Sequence, residues 1–167
     1  MILIALGANL PSEKHGPPRE TLAAALLAIE EAGITVTAFS RWYATAPVPA
    51  SDQPDFVNIV ASLDTQLEPG PLMTVLHGIE HAFGRARGEP NAARVLDVDL
   101  LDHNGTISTD WPVLPHPRME GRAFVLVPLR DVAPDWRHPV SGRSVSELVR
   151  DAPDLAGIRA LMEADGA

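Results

Sequence analysis

The sequence predicts an α+β fold of the ferredoxin-like βαββαβ kind, a sandwich of two helices on one face of a four-stranded sheet, with a C-terminal extension. Three observations carry that expectation. Short apolar runs alternate with segments of helical spacing in the order strand, helix, strand, strand, helix, strand through Asp102. The 167 residues, 46% hydrophobic and 21% charged, suit one globular core, so residues 1–167 read as a single domain. The sixteen prolines gather in connections, such as Pro17 and Pro18, Pro47, Pro49 and Pro54, and Pro112, Pro115 and Pro117.

Met1 to Leu6 is apolar and runs into Gly7 and Asn9, which predicts a short buried strand followed by a loop. The run has no basic flank and is too short for a signal-peptide core or a membrane span, so a cytoplasmic protein is expected. From Pro18, Leu22, Leu26 and Ile29 follow helical spacing, and Gly33 stands just past the end. Ile34 to Tyr43, rich in β-branched and aromatic residues, predicts one strand, and Thr45 to Asp55 a proline-broken loop. Phe56 to Leu67 alternates, with Val57, Ile59, Ala61 and Leu63 on one face and Phe56, Asn58, Val60 and Ser62 on the other. Pro71 to Phe83 returns to helical spacing and Gly84 stops it, leaving Met73, His77 and Glu80 as a separate stripe. Residues 85–94 predict a loop and Val95 to Asp102 a strand. Asn104-Gly105 signals a tight hairpin, with Thr106 to Ser108 expected to pair back antiparallel. Ser144 and Glu147 form a capping box ahead of a short helix carrying Val145, Leu148 and Val149.

The balance of 13 basic against 22 acidic residues gives a net charge of −9, which sets a nucleic acid or an anionic membrane against the protein's own field. With no cysteine, disulfides and thiolate metal sites are excluded, and function must rest on Asp, Glu, His and Arg. Arg85, Arg87, Arg94, Arg118 and Arg122 make one stretch locally basic, a pattern that suits a small anionic ligand.

The sharpest signal is Asp97-Val98-Asp99, because side chains two apart on a strand point the same way, about 6.5 Å apart. Two like charges so placed repel unless a cation lies between them, and hard oxygen donors suit Mg²⁺ shared with phosphates. The tripeptide alone fits a solvated strand face better than a metal site. The arginines around it favour a nucleoside triphosphate, whose transfer chemistry is mostly positioning and charge neutralisation. No GxxxxGK[ST] loop is present, so the route is not a P-loop. His116 stands between Pro115 and Pro117 in a rigid frame, while the other histidines lack metal-ligand spacing. Phe56, Asn58 and Phe124 could hold a flat heterocycle by stacking and amide hydrogen bonds, although core packing is the alternative for all three and composition alone favours it for Phe124 within Phe124-Val125-Leu126-Val127.

Five ordered pieces give these residues a family likeness: Ile4-Ala5-Leu6-Gly7-Ala8-Asn9-Leu10, Asp52 to Asn58, Ile79-Glu80 leading to Gly84-Arg85-Ala86-Arg87, Arg94 to Leu100, and Pro115-His116 followed by Arg122 and Phe124. The sequence resembles the 6-hydroxymethyl-7,8-dihydropterin pyrophosphokinases of folate biosynthesis over nearly its whole length. The resemblance implies transfer of pyrophosphate from ATP to the pterin, with AMP released. It implies that Asp97 and Asp99 hold two Mg²⁺ ions and that Arg85 and Arg94 act on the transferring group. Met73, His77, Glu80, Arg87, His116 and Arg122 would contact ATP. Phe56 and Phe124 would sandwich the pterin, and Asn58 would read its polar edge with help near Thr45 and Val48. Its partners would be these small molecules only, with no nucleic acid and no membrane, and a monomer is expected. The chain departs from the family pattern after Arg87, where Pro90-Asn91-Ala92-Ala93 lacks a common tryptophan, and at Phe56, which replaces a common tyrosine.

Overall fold

The computed structural model describes residues 1–84 and 93–162. Strand β1 (Ile2–Ala8) is apolar on both faces and so takes a central place. It pairs antiparallel with β4 (Phe56–Asp64) on one side and β5 (Asp97–His103) on the other. Beyond β4 lie β2 (Thr35–Phe39) and β3 (Tyr43–Thr45), and β6 (Ile158–Ala160) pairs with β3. The result is a mixed α/β protein with a six-stranded antiparallel sheet in the order β5-β1-β4-β3-β6, β2 also pairing with β4.

Helices α1 (Pro18–Glu31) and α2 (Pro69–Ala82) each start with proline in the first turn, where its missing N–H costs nothing. Gly33 and Gly84, at φ 86° and 89°, follow their ends in the left-handed region that glycine adopts freely. Both helices pack on the face of the sheet formed by Ile4, Leu6, Ile59, Ala61, Val98 and Leu100. The opposite face is covered by α3 (Ala123–Val132) and α4 (Val145–Asp151), over Leu3, Val60 and Leu101. Each fully buried leucine or isoleucine stabilises such a core by roughly 2 kcal/mol. The predicted capping box is present: Ser144 Oγ accepts the Glu147 N–H at 3.2 Å, and Glu147 Oε2 accepts the Ser144 N–H at 2.8 Å.

Two expectations are corrected. Ile34 to Tyr43 is not one strand, because Ser40 interrupts the ladder: its hydroxyl, in place of a backbone carbonyl, accepts the Val60 N–H at 3.1 Å. Chain pairing resumes only at Tyr43, and Thr45 joins β3 instead of the following loop. The Asn104-Gly105 turn forms, with φ of 55° and 72°, yet residues 106–108 do not pair back on β5. Strand β5 is already engaged at Leu101, whose carbonyl accepts the His116 N–H at 2.9 Å, and Ser108 bridges to Leu114 instead. Among the described residues, no helix is long and apolar enough to cross a membrane.

Candidate active site

On the α3 side of the sheet, three neighbouring strands change character along their length. Alternation presents Leu3, Ala5 and Gly7 from β1, Val60, Asn58 and Phe56 from β4, and Leu101, Asp99 and Asp97 from β5. Leu3, Val60 and Leu101 are buried beneath α3 and α4, whereas the other ends turn small, polar or aromatic. A cavity of about 560 Å³ opens over those ends. Gly7 lies in register with both Asn58 and Asp97, and Ala5 with Asp99. A Cβ at Gly7 would sit 2.7 Å from Asn58 Oδ1, so only glycine leaves the amide where it is. Asn58 is buried, and its Nδ2 donates to Thr45 Oγ1 at 2.7 Å, which holds the amide against β3.

Charge is concentrated at the β5 wall. Arg94 Nη1 donates to Asp97 Oδ2 at 2.6 Å. The Arg94 backbone is itself fixed by buried Asn9, whose Oδ1 accepts the Arg94 N–H at 2.8 Å. The Asn9 Nδ2 donates to Gln53 Oε1 and the Pro54 carbonyl, both at 3.1 Å, so one amide ties three segments together at the cavity's edge. Burial, and then the neighbouring Asp97 charge, push the Asp99 carboxyl above its ordinary range against the pull of His116, Arg122 and Arg94. His116 Nδ1 accepts the Arg118 N–H at 3.3 Å, which leaves the proton of the neutral ring on Nε2, 3.9 Å from Asp99 Oδ2. Burial, despite the Asp99 charge, moves this histidine below its ordinary value, favouring the neutral form. Arg122 is lowered by burial and then by Arg118, and its guanidinium lies 5.5 Å from the Phe124 ring centroid.

Among the described residues there is no group of three or more His, Cys, Asp or Glu side chains that could hold a metal ion. Asp97 and Asp99 nevertheless supply two hard carboxylates on one strand face. Mg²⁺ is usually held by one or two carboxylates and completes its shell with water and substrate phosphate oxygens, so this donor set fits it.

The cavity brings together Arg94, Asp97, Asp99, His116 and Arg122 with Thr45, Val48, Phe56, Asn58 and Phe124. Met73, His77 and Glu80 do not line it. Met73 is buried in the core between α2 and the sheet, and His77 is exposed, with its ring centroid 6.1 Å from that of Trp111. Glu80 is buried, and its Oε1 accepts the Val98 N–H at 2.6 Å, tying α2 to the strand that carries both aspartates. Arg85 and Arg87 lie outside the described residues. Sequence reasoning had no role for Gly7 and Asn9 beyond opening a loop, and it missed Pro153 and Asp154, which complete the cavity wall. For Gly7 and Asn9 the adjoining apolar run was a signal, but the C-terminal pair has no local pattern.

A family model described as 7,8-dihydro-6-hydroxymethylpterin-pyrophosphokinase (HPPK) matches residues 3–134. A Pseudomonas aeruginosa protein named 2-amino-4-hydroxy-6-hydroxymethyldihydropteridine pyrophosphokinase is 44% identical over 155 residues, covering 91% of each chain. The Haemophilus influenzae protein of the same name is 39% identical over 153 residues, covering 90% of this chain and 92% of that one. Among solved structures, a Plasmodium falciparum HPPK-DHPS superposes with a TM-score of 0.71 at 13% identity, covering 95% of this chain and 47% of that one. The chain therefore spans about half the length of that structure, and the likeness there is one of fold. With a family model across most of its length and relatives matched nearly end to end, this chain belongs to the HPPK family.

Proposed function

We propose that this protein transfers the pyrophosphoryl group of ATP to the hydroxymethyl group of 6-hydroxymethyl-7,8-dihydropterin, giving the pterin diphosphate and AMP, a step of folate biosynthesis. The observation that carries this reading is the meeting, in one cavity, of a carboxylate pair flanked by cations with two phenylalanines and a buried amide. The family's architecture, read as ferredoxin-like, draws support from the strand order β5-β1-β4 with β2 against β4 and from α1 and α2 on one face.

The pterin hydroxyl oxygen attacks the β-phosphorus, the bond from that phosphorus to the oxygen bridging to the α-phosphate breaks, and AMP leaves while the hydroxyl proton is lost. Phe56 and Phe124 offer ring faces to the heterocycle, and Asn58, held by Thr45, offers both a donor and an acceptor to its polar edge. Arg94 and Arg122 bring positive charge to the phosphate chain, and His116 offers its Nε2–H. Asp97 and Asp99 would hold Mg²⁺, which when bound supplies neutralisation of phosphate charge. Arg85 and Arg87, with Met73, His77 and Glu80, keep roles in transfer or nucleotide binding on the family resemblance alone.

Product analysis tests the reading: Mg-ATP is incubated with and without the pterin, and AMP, ADP and ATP are separated. AMP that forms only with pterin and metal, in step with pterin diphosphate, is the expected outcome. A folded sample that binds Mg-ATP yet releases no AMP would overturn it in favour of a ligand-binding module.

A further inference from the structure

Residues 135–162 lie beyond the part of the chain that the family model matches, and one short stretch of them touches both sides of the heterocycle end of the cavity. Helix α3 begins at Ala123, between Arg122 and Phe124, and its N-cap residue Arg122 provides no side-chain cap. The missing acceptor comes from 31 residues further on: Asp154 Oδ1 accepts the Ala123 N–H at 2.9 Å. A carboxylate at that end also complements the positive end of the helix dipole. Six residues of chain later, β6 has paired with β3, setting Ile158 opposite Thr45 and Ala160 opposite Tyr43. The Ala46 N–H donates to the Gly157 carbonyl at 3.3 Å, extending this attachment towards Pro47 and Val48. Pro153 and Asp154 themselves line the cavity.

We infer that Asp154 is a positioning residue for pterin binding, which sets the Phe124 wall by holding the first turn of α3 while the segment it belongs to clamps the facing Thr45 wall through β6. The inference rests on the pyrophosphokinase reading and extends it to a side chain that no motif of the family match contains. Asp154 acts through Ala123, so its loss shifts Phe124 relative to Thr45 and Asn58. The Asp97 and Asp99 wall is built on β5, and Arg122 is held from its own side by the Met119 carbonyl, which accepts the Arg122 N–H at 3.2 Å, so the phosphate end does not depend on this contact.

The test measures dissociation constants of 6-hydroxymethyl-7,8-dihydropterin and of Mg²⁺ with an ATP analogue methylene-bridged between the α- and β-phosphorus, on the full chain, together with Tm. Asp154→Ala is expected to weaken pterin binding about tenfold while the analogue stays within twofold. Asp154→Asn, which keeps a carbonyl acceptor, is expected to restore pterin affinity to within threefold of wild type. If Asp154→Ala does not fold, Asp154→Ser, whose hydroxyl stops one bond short of Oδ1, carries the same comparison. Pterin affinity within twofold of wild type in the variant lacking the acceptor, or equal weakening of both ligands with a lower Tm, would overturn the inference. A wild-type protein that binds the analogue but no pterin would instead overturn the functional reading beneath it.

Discussion

Gly7 shows how much of this site hangs on single side chains, because the position is in register with Asn58 on one strand and Asp97 on the other. Replacing it with alanine puts a methyl 2.7 Å from Asn58 Oδ1, so the amide must move and its 2.7 Å bond to Thr45 Oγ1 is lost. Gly7→Ala is expected to weaken pterin binding at least tenfold, read by calorimetry, with a stability loss of about 1–2 kcal/mol for the disturbed buried hydrogen bond. The aspartates behave differently. Both are partly buried side by side, so removing either one relieves a like-charge repulsion that offsets the loss of a contact such as Arg94–Asp97. Asp97→Ala and Asp99→Ala should each lower pterin-dependent AMP formation by about a hundredfold or more while Tm stays near wild type. Full Mg²⁺-dependent turnover in both variants would show the metal assignment to be wrong. At this scale the sequence was legible for the residues that carry charge or a ring, since a DxD pair announces itself. It was not legible for Asn9, because nothing around that residue points to Arg94, 85 residues away.

Elements are joined to one another by polar anchors, and the tie between β3 and α3 responds to pH. Tyr43 Oη donates to Asp131 Oδ2 at 2.7 Å, and Arg41 Nη2 donates to Oδ1 at 2.9 Å. Burial alone would push the Asp131 carboxyl up, but the hydrogen bonds from Arg41 and Tyr43 outweigh it and hold the group below its ordinary value. A depressed folded pKa means that this stabilisation is complete above the unfolded value of about 3.9 and is lost as pH falls through the folded value. Asp131→Asn should therefore be less stable than wild type at pH 7, with the difference shrinking towards pH 2 in urea titrations. Burial and then the Asp131 bond push Tyr43 up to about 12, so it remains a donor throughout the neutral range. Tyr43→Phe should cost about 1–2 kcal/mol at pH 7. Ser144→Ala should cost about 1 kcal/mol by the same assay, through loss of the α4 cap. The strand and helix periods were readable for α1, α2, β1 and β4. Phe124 to Val127 gave no period to read, since four successive apolar residues suit a buried strand and a buried helix alike, and Ser40 broke a run rich in β-branched and aromatic residues.

At the scale of the whole molecule, the cavity is assembled from β1, β3, β4, β5, the start of α3 and the C-terminal stretch, so ligands that fill it should stabilise the fold as a unit. Pterin with Mg²⁺ and the unreactive ATP analogue, each near 100 times its dissociation constant, should raise stability by about 2.7 kcal/mol or more, seen as a Tm increase that a chelator reverses in part. An unchanged Tm at those concentrations would count against a shared site. The sequence by itself determined the alternation of β4, the paired carboxylates of β5, the start and stop of α1, the capping box of α4, and the family, since each is written in neighbouring residues whose spacing matches a backbone period. Tertiary structure alone decided that α3 and α4 cover the second face, that Asn9 joins Arg94 to Gln53, and that Asp154 caps the helix bearing Phe124. Those contacts join segments far apart in the chain, and a hydrogen bond between distant residues leaves no periodic trace in either segment.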